Sequence, residues 1–328
     1  GHQSLIPVPD IDHTQYMLII GGNPLASNGS IMTVPNVPKR LKAIQQRGGR
    51  FIVIDPRRTE TAEIADQHLF IRPGTDAFLL MAMLNTLYAE DLVKTGHLTD
   101  LLVGVDDVGR LCKSFTPELA EQQTGIAAEQ IRQLARDMAN IDGAVCYGRM
   151  GVSVQVYGTL CQWAIHMINI LTGSLDVRGG MMASSPAMGY IKPGESGAGH
   201  FAAFHSRVSG LPEFAGELPS SVMAEEMLTE GEGQIRALVT VAGNPVLSAP
   251  NGRQIDKALN GLDYMVSIDF YINETTQHAD IILPPTSALE HDHYDIAFYR
   301  LAVHNTTRFN EPVFDAAAGA LHDWEIFN

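Results

Sequence analysis

"IDPRRTETAEIAD" (residues 54–66) and "IDFYINETTQHAD" (residues 268–280) align without a gap and agree at Ile54/Ile268, Asp55/Asp269, Glu60/Glu274, Thr61/Thr275, Ala65/Ala279 and Asp66/Asp280. Each opens at the end of an apolar run, "RFIVID" and "YMVSID", which reads as a buried strand. Each is also preceded by a Gly-Asn-Pro turn that closes an earlier strand: "YMLIIGGNP" in the first half and "RALVTVAGNP" in the second. The glycine before asparagine stands 33 residues ahead of the strand-end aspartate in the first copy and 26 in the second. Only the loop and helix between them therefore differ in length.

The repeated order of strand, Gly-Asn-Pro, helix, strand and Ala-Asp is that of a β-α-β unit written twice. The expected fold class is α/β, with two related αβα doubly wound (Rossmann-like) domains and mostly parallel sheets. In the first half, "VPKRLKAIQQRGG" reads as a helix with Leu41 and Ile44 on one face and glycines at its end. "DAFLLMAMLNTLYAE", "AAEQIRQLARDMAN" and "YGTLCQWAIHMINILTG" supply further helices, and "GAVCYG" another strand. From about residue 179 to 221 the chain is dense in Gly, Pro and Ser and too irregular for a simple connection. The expected division is a first nucleotide-binding αβα domain over residues 1–185, then the irregular segment and a second nucleotide-binding αβα domain over residues 186–328.

Composition bounds the function. The chain has 328 residues, 45% hydrophobic and 18% charged, which suits a globular protein of two domains. Its net charge of −15 disfavours nucleic acid and anionic membrane as partners. A phosphate-rich ligand would have to be held by a few placed arginines and backbone amides. The three cysteines, Cys112, Cys146 and Cys161, have no Cys-x-x-Cys spacing, so neither an iron–sulfur cluster nor a structural zinc is expected from this chain, and buried thiols are. No metal ligand is assigned. No apolar run reaches the roughly 18 residues of a membrane span. The Pro-rich start lacks an initiating Met and has the look of a processed or excised segment. A cytoplasmic location is expected, with a periplasmic one left open.

Both Gly-Asn-Pro turns fall at the carboxyl edge of a sheet, where doubly wound folds bind ligands. Glycine there permits close approach of a phosphate or a positive φ, although Gly-Asn-Pro is also ordinary turn chemistry. Asp55 and Asp269 close the following strands, a common place for a ribose-binding carboxylate. In "IRPGTD", Asp76 has two readings. It can accept two hydrogen bonds from guanine N1–H and the 2-amino group, or it can cap the next helix. Arg57, Arg58 and Arg72 are the nearest basic groups and can fork onto phosphate.

These stretches, with "VIDPRRTETAEIADQHLFIRPGTDA", "YGRMGVSVQVYGTL", "NILTGSLDVRGG" and "SIDFYINETTQHADIILPPTSALE", resemble the molybdenum oxidoreductases of the dimethyl sulfoxide reductase and formate dehydrogenase group over essentially the whole chain. The resemblance implies two related αβα domains that bind the two guanine dinucleotide tails of bis-molybdopterin guanine dinucleotide carrying Mo or W, in enzymes of anaerobic respiration. It implies cofactor-binding roles for Gly22, Asn23, Asp55, Arg57, Gly74, Asp76, Gly151, Gln155, Gly243, Asn244, Asp269 and Thr275. The chain reads Val154-Gln155 where many relatives have Gln-His. The catalytic residues are not readable, and an iron–sulfur cluster and the metal's protein ligand are expected only outside this central fragment, which alone would be inactive. A small-molecule substrate and an electron-transfer subunit or iron–sulfur domain are the implied partners. His200, His205 and Arg207 are candidates for the wall of a substrate pocket. The alternative is a non-catalytic scaffold homologue, as in the large iron–sulfur subunit of NADH dehydrogenase.

Overall fold

A computed structural model describes residues 6–189 and 200–328. Over these residues the chain forms two compact units, 6–189 with 296–307, and 200–295 with 308–328. Residues 296–307, which the expected division places in the second domain, pack with the first unit.

The first unit is built on a parallel four-stranded sheet. Its main elements in chain order are β1 (Tyr16–Ile20), α1 (Val37–Gln46), β2 (Arg50–Ile54), α2 (Glu60–Ile64), β3 (Gln67–Leu69), α3 (Asp76–Ala89), α4 (Ala128–Asn140), β4 (Ala144–Gly148) and α5 (Gly158–Leu171), with shorter helices and strands between and beyond them. The strand order is β3-β2-β1-β4, with every pairing parallel. That order reverses beside β1, and the gap above the reversal is the usual ligand crevice of such sheets.

The strands read as apolar runs because both faces of the sheet are covered. Tyr16, Leu18, Ile20, Ile52 and Ile54 face a core formed with α3, α4 and α5, including Leu80, Met83, Leu84, Ile131, Leu134, Ile165 and Ile168. Met17, Ile19, Phe51 and Val53 face Leu41 and Ile44 of α1 and Ala62 of α2. Fully burying a side chain of this size contributes about 1.5–3 kcal/mol. Helix α1 starts where Asn36 accepts from the Lys39 amide (3.3 Å), with Pro38 in its first turn, and stops before Gly48 at φ 85°. Asn169 of α5 ties itself to the edge strand β4. Its amide oxygen accepts from Cys146 N (2.9 Å) and its nitrogen donates to Cys146 O (2.8 Å), so the edge is satisfied by a side chain instead of a fifth strand. All three cysteines are buried and unpaired by disulfide.

The second unit contains α6 (Met223–Leu228), β5 (Ala237–Val241), α7 (Gly252–Leu259), β6 (Tyr264–Ile268) and β7 (Ile281–Leu283). Its sheet order is β7-β6-β5, again all parallel. Ile255, Ala258 and Leu259 of α7 pack with Ala224, Met227 and Met265. A short hairpin, Phe201–His205 with Pro212–Phe214, carries the buried Glu213, which accepts from Ala203 N (3.0 Å) and Gly216 N and pairs with His200 (2.7 Å). Among the described residues, no helix is long and apolar enough to cross a membrane, and no group of three His, Cys, Asp or Glu converges to hold a metal. Part of the irregular 179–221 segment, residues 190–199, lies outside the described residues.

Candidate functional site

The repeated phrase folds into the same hydrogen-bonded clamp twice. In the first copy Asn23 Oδ1 accepts from Thr61 Oγ1 (2.7 Å) while Asn23 Nδ2 donates to Glu60 Oε2 (2.6 Å). In the second, Asn244 Oδ1 accepts from Thr275 Oγ1 (2.7 Å) and Asn244 Nδ2 donates to Glu274 Oε2 (2.8 Å). The threonine oxygens then accept the amides of Leu25 and Val246, both at 3.1 Å. Asp66 and Asp280 anchor the strand starts by accepting from Phe51 N (2.8 Å) and Met265 N (2.7 Å). Both threonines are fully buried, so their hydroxyls must find partners inside the protein, and the asparagine supplies them. The clamp joins the turn after one strand to the turn after the next, and so sets the shape of the sheet's carboxyl edge.

In the first unit this edge opens into a cleft of about 310 Å³. Gly21 follows β1, Asp55 and Pro56 follow β2, and Pro73, Gly74 and Asp76 lead into α3. Gly151 and Gln155 close the cleft from the segment after β4. Gly21 and Gly151 meet backbone to backbone, Gly151 N donating to Gly21 O at 2.9 Å. A Cβ on Gly21, which has φ 57°, would lie 2.7 Å from Val152 N, and a Cβ on Gly151 would lie 2.7 Å from Gly21 Cα. Neither position has room for a side chain.

Asp76 is the first residue of α3, with Thr75 at the cap position, and it is only 5% exposed. Gln155 Nε2 donates to its Oδ2 at 2.9 Å. Burial raises its pKa above the ordinary carboxylate value, and the Gln155 hydrogen bond partly offsets that rise. Gln155 Oε1 is buried without a hydrogen-bond partner. Asp55 Oδ1 accepts from Arg57 N at 2.8 Å, and Asp55 Oδ2 has no partner among the described residues. The cleft thus offers two carboxylates and a spare amide oxygen, all acceptors, beside a bare backbone crossing.

Five of the sequence-selected residues, Asp55, Gly74, Asp76, Gly151 and Gln155, come together here. Asn23, Asn244 and Thr275 spend their side chains within the clamps. Arg57 is exposed and near Glu60 (3.5 Å), whereas Arg72 donates to the carbonyls of Gln122 (3.0 Å) and Gln123 (2.7 Å). Gly22 packs against Arg149 and Ile19, while Gly21, overlooked in the sequence, makes the close crossing. Thr61 was also overlooked, although its match to Thr275 in the repeat was a sufficient signal. In the second unit Asp269 Oδ1 accepts from Tyr271 N (2.9 Å), the same turn as at Asp55, and a Cβ on Gly243 would meet nothing nearer than Val241 O at 3.6 Å. His200 is tied to Glu213, and Arg207 pairs with Glu226 (3.3 Å) and donates to Thr229 O (2.7 Å).

Comparison with known proteins fits this architecture. The assimilatory nitrate reductase catalytic subunit of Bacillus subtilis is 29% identical over 98% of this chain and 46% of its own length. Formate dehydrogenase H of Escherichia coli is 27% identical over 98% of this chain and 45% of its own. The chain spans about half the length of these relatives. Among solved structures, acetylene hydratase from Pelobacter acetylenicus shares the fold, with a TM-score of 0.75 at 21% identity over 98% of this chain and 47% of that one. The molybdopterin oxidoreductase family model matches residues 2–328, and the chain therefore belongs to the molybdopterin oxidoreductase family, whose members use a molybdenum or tungsten pterin.

Proposed function

We propose that this chain is the part of a molybdenum or tungsten oxidoreductase that holds the two guanine dinucleotide ends of bis-molybdopterin guanine dinucleotide. The cleft of the first unit takes one guanosine, and the turn around Asp269, with Gly243, takes the other. The observation that carries the reading is the buried carboxylate of Asp76, which meets Gln155 as its one side-chain donor among the described residues. Guanine offers two parallel donors, N1–H and the 2-amino group, and these match a carboxylate's two oxygens. Adenine presents an acceptor at N1 and no 2-amino group, so it would leave the buried charge unpaired. Gln155 Oε1 can accept a further hydrogen bond, Asp55 Oδ2 can take a ribose hydroxyl, and the Gly21–Gly151 crossing admits the sugar-phosphate close to the backbone.

The cleft's volume is at the small end for ligand pockets, roughly 300–1,000 Å³, so it suits a nucleoside end and not a whole pterin dinucleotide. Asn23 with Thr61, and Asn244 with Thr275, act as positioning residues that hold the turns. When bound, the metal supplies two-electron redox chemistry, and the residues of this chain bind and orient the nucleotide ends. A small-molecule substrate and an electron-transfer subunit or iron–sulfur domain are part of the same proposal.

Calorimetric titration with GMP and AMP tests it. GMP should bind better than AMP by about 1–3 kcal/mol, the worth of one bidentate pair, and Asp76→Ala should abolish that preference. Equal binding of the two nucleotides, or a guanine preference that survives in Asp76→Ala, would sink the reading. Because protonation removes one acceptor, the preference should fade on acidification at a higher pH than an ordinary carboxylate would require.

A further inference from the structure

Of the seven residues by which the first copy of the repeat exceeds the second, six lie between Pro24 and the start of α1, and they build a loop with no counterpart among the described residues of the second copy. Asn36 and Asn251, at the starts of α1 and α7, share a left-handed backbone with φ 56° and 58°. The first loop adds three more non-glycine residues at positive φ: Asn28 at 50°, Ser30 at 54° and Ile31 at 84°. A β-branched residue is strained in that region, and such strain persists only where surrounding structure enforces it. Here the enforcement is explicit. Met32 is buried in the core, the Tyr147 hydroxyl donates to Ser30 O, Thr33 N donates to Leu301 O (3.1 Å), and Thr33 O accepts from Val303 N (3.1 Å).

Between this loop and residues 298–306 lies a cavity of about 580 Å³, within the range of pockets for small organic ligands. Ile31, Val34 and Phe298 contribute apolar wall, and Arg40 and His304 are its ionisable lining residues. Both are oriented from behind by one carboxylate, since Arg40 Nη1 and His304 Nε2 each meet Asp12 Oδ2. Arg40 Nε donates to Pro35 O (2.9 Å), which leaves Nη2 without a partner among the described residues. Asp12 is not itself in the lining.

We propose that this cavity is a binding site, separate from the nucleotide cleft, for a small carboxylate with an apolar body. The acid would hydrogen-bond to Arg40 Nη2 beside His304, and the hydrocarbon part would lie against Ile31, Val34 and Phe298. A cation would face the guanidinium, and inorganic phosphate would leave the apolar wall wet. The assignment does not depend on the identity of the cofactor.

The probe is 3-phenylpropionate, titrated calorimetrically into the purified protein beside its neutral isostere 3-phenylpropanamide. The acid should bind at least about tenfold tighter than the amide, because one charge-assisted hydrogen bond separates them. Arg40→Gln should erase that difference. Since Arg40 also holds Asp12, a second variant, Thr306→Trp, fills the cavity from its exposed rim and should abolish binding of both compounds, with circular dichroism confirming the fold. The proposal is overturned if acid and amide bind alike, if neither saturates at millimolar concentration, or if Thr306→Trp leaves binding of the acid unchanged.

Discussion

In the first copy of the repeat, the sheet face carrying Leu18, Ile20, Ile52 and Ile54 is sealed under α3, α4 and α5. In the second copy the register puts Val239 and Val241 where Leu18 and Ile20 stand, and they are 57% and 48% exposed, beside Ile281 at 43% and Leu283 at 37%. The opposite faces correspond closely, with α7 covering Leu238 and Met265 much as α1 covers Met17 and Phe51. The clamps of Asn23 with Thr61 and Asn244 with Thr275 agree to within about a tenth of an ångström in their central hydrogen bond. What repeats, then, is the strand-turn-helix-strand unit and its polar clamp. The cover over the second face, and with it the cleft that Gly151 and Gln155 complete, comes from residues 73–171, which have no second copy in the chain.

Substitutions at matched positions can break this comparison. The largest contrast is expected between Leu18→Ala, which should cost about 2–5 kcal/mol by opening a hole in the sealed core, and Val239→Ala, which should cost under about 1 kcal/mol. Urea unfolding measures both, and similar losses would mean that the second face is covered in solution. Next comes Gly21. The second copy has Ala242 at the matching place, exposed and with φ 49°, so Ala242→Gly should change stability by no more than about 1 kcal/mol. Gly21→Ala should cost roughly 2–4 kcal/mol, because its Cβ collides with Val152 N as well as straining φ. A tolerated Gly21→Ala would show that the crossing is not tight.

Thr61→Val and Thr275→Val keep shape and remove one hydroxyl from each clamp. Each should cost about 1–3 kcal/mol by removing a donor to the asparagine oxygen and stranding the backbone amide of Leu25 or Val246. Near-equal values sharpen the equivalence of the clamps, and a difference larger than either loss would refute it. The smallest effect is one of sign. Because the folded-state pKa of Asp76 is raised, the unfolded chain ionises first as pH climbs past 3.8, so Asp76 progressively subtracts stability until the folded protein ionises too. Asp76→Asn cannot ionise, so its stability relative to the parent should rise with pH through the acid range and then level off. Unfolding curves across that range check this, and a relative stability that falls with pH would be the contrary result.

Much of this is legible in the sequence alone. The apolar runs marked β1, β2, β4 and β6 because buried parallel strands tolerate little else. Leu41 and Ile44 marked the buried face of α1 by their spacing. The doubled phrase pointed to the paired units and to Asp55, "IRPGTD" to Asp76, and the family resemblance to Gly151 and Gln155; these four meet in the cleft. Other features needed the third dimension. Gly21 and Gly22 look alike in the sequence, and only the crossing of residue 151 shows which of them has no room for a side chain. Asn23 and Asn244, read as ligand contacts, are occupied by the clamps, and Arg72 by helix carbonyls. The six extra residues before α1 read as a longer loop, and only its packing beside residues 298–306 places a cavity there.

The α/β class, the two copies and the polar turns at the strand ends follow from local sequence, since periodicity and turn chemistry act over a few neighbouring residues. Which copy acquires a closed core and a walled cleft, and which basic side chains remain available, emerges only in the packed fold. Those outcomes depend on contacts between segments tens to hundreds of residues apart, where burial, close approach and hydrogen-bond partners are settled by packing and leave no local pattern to read.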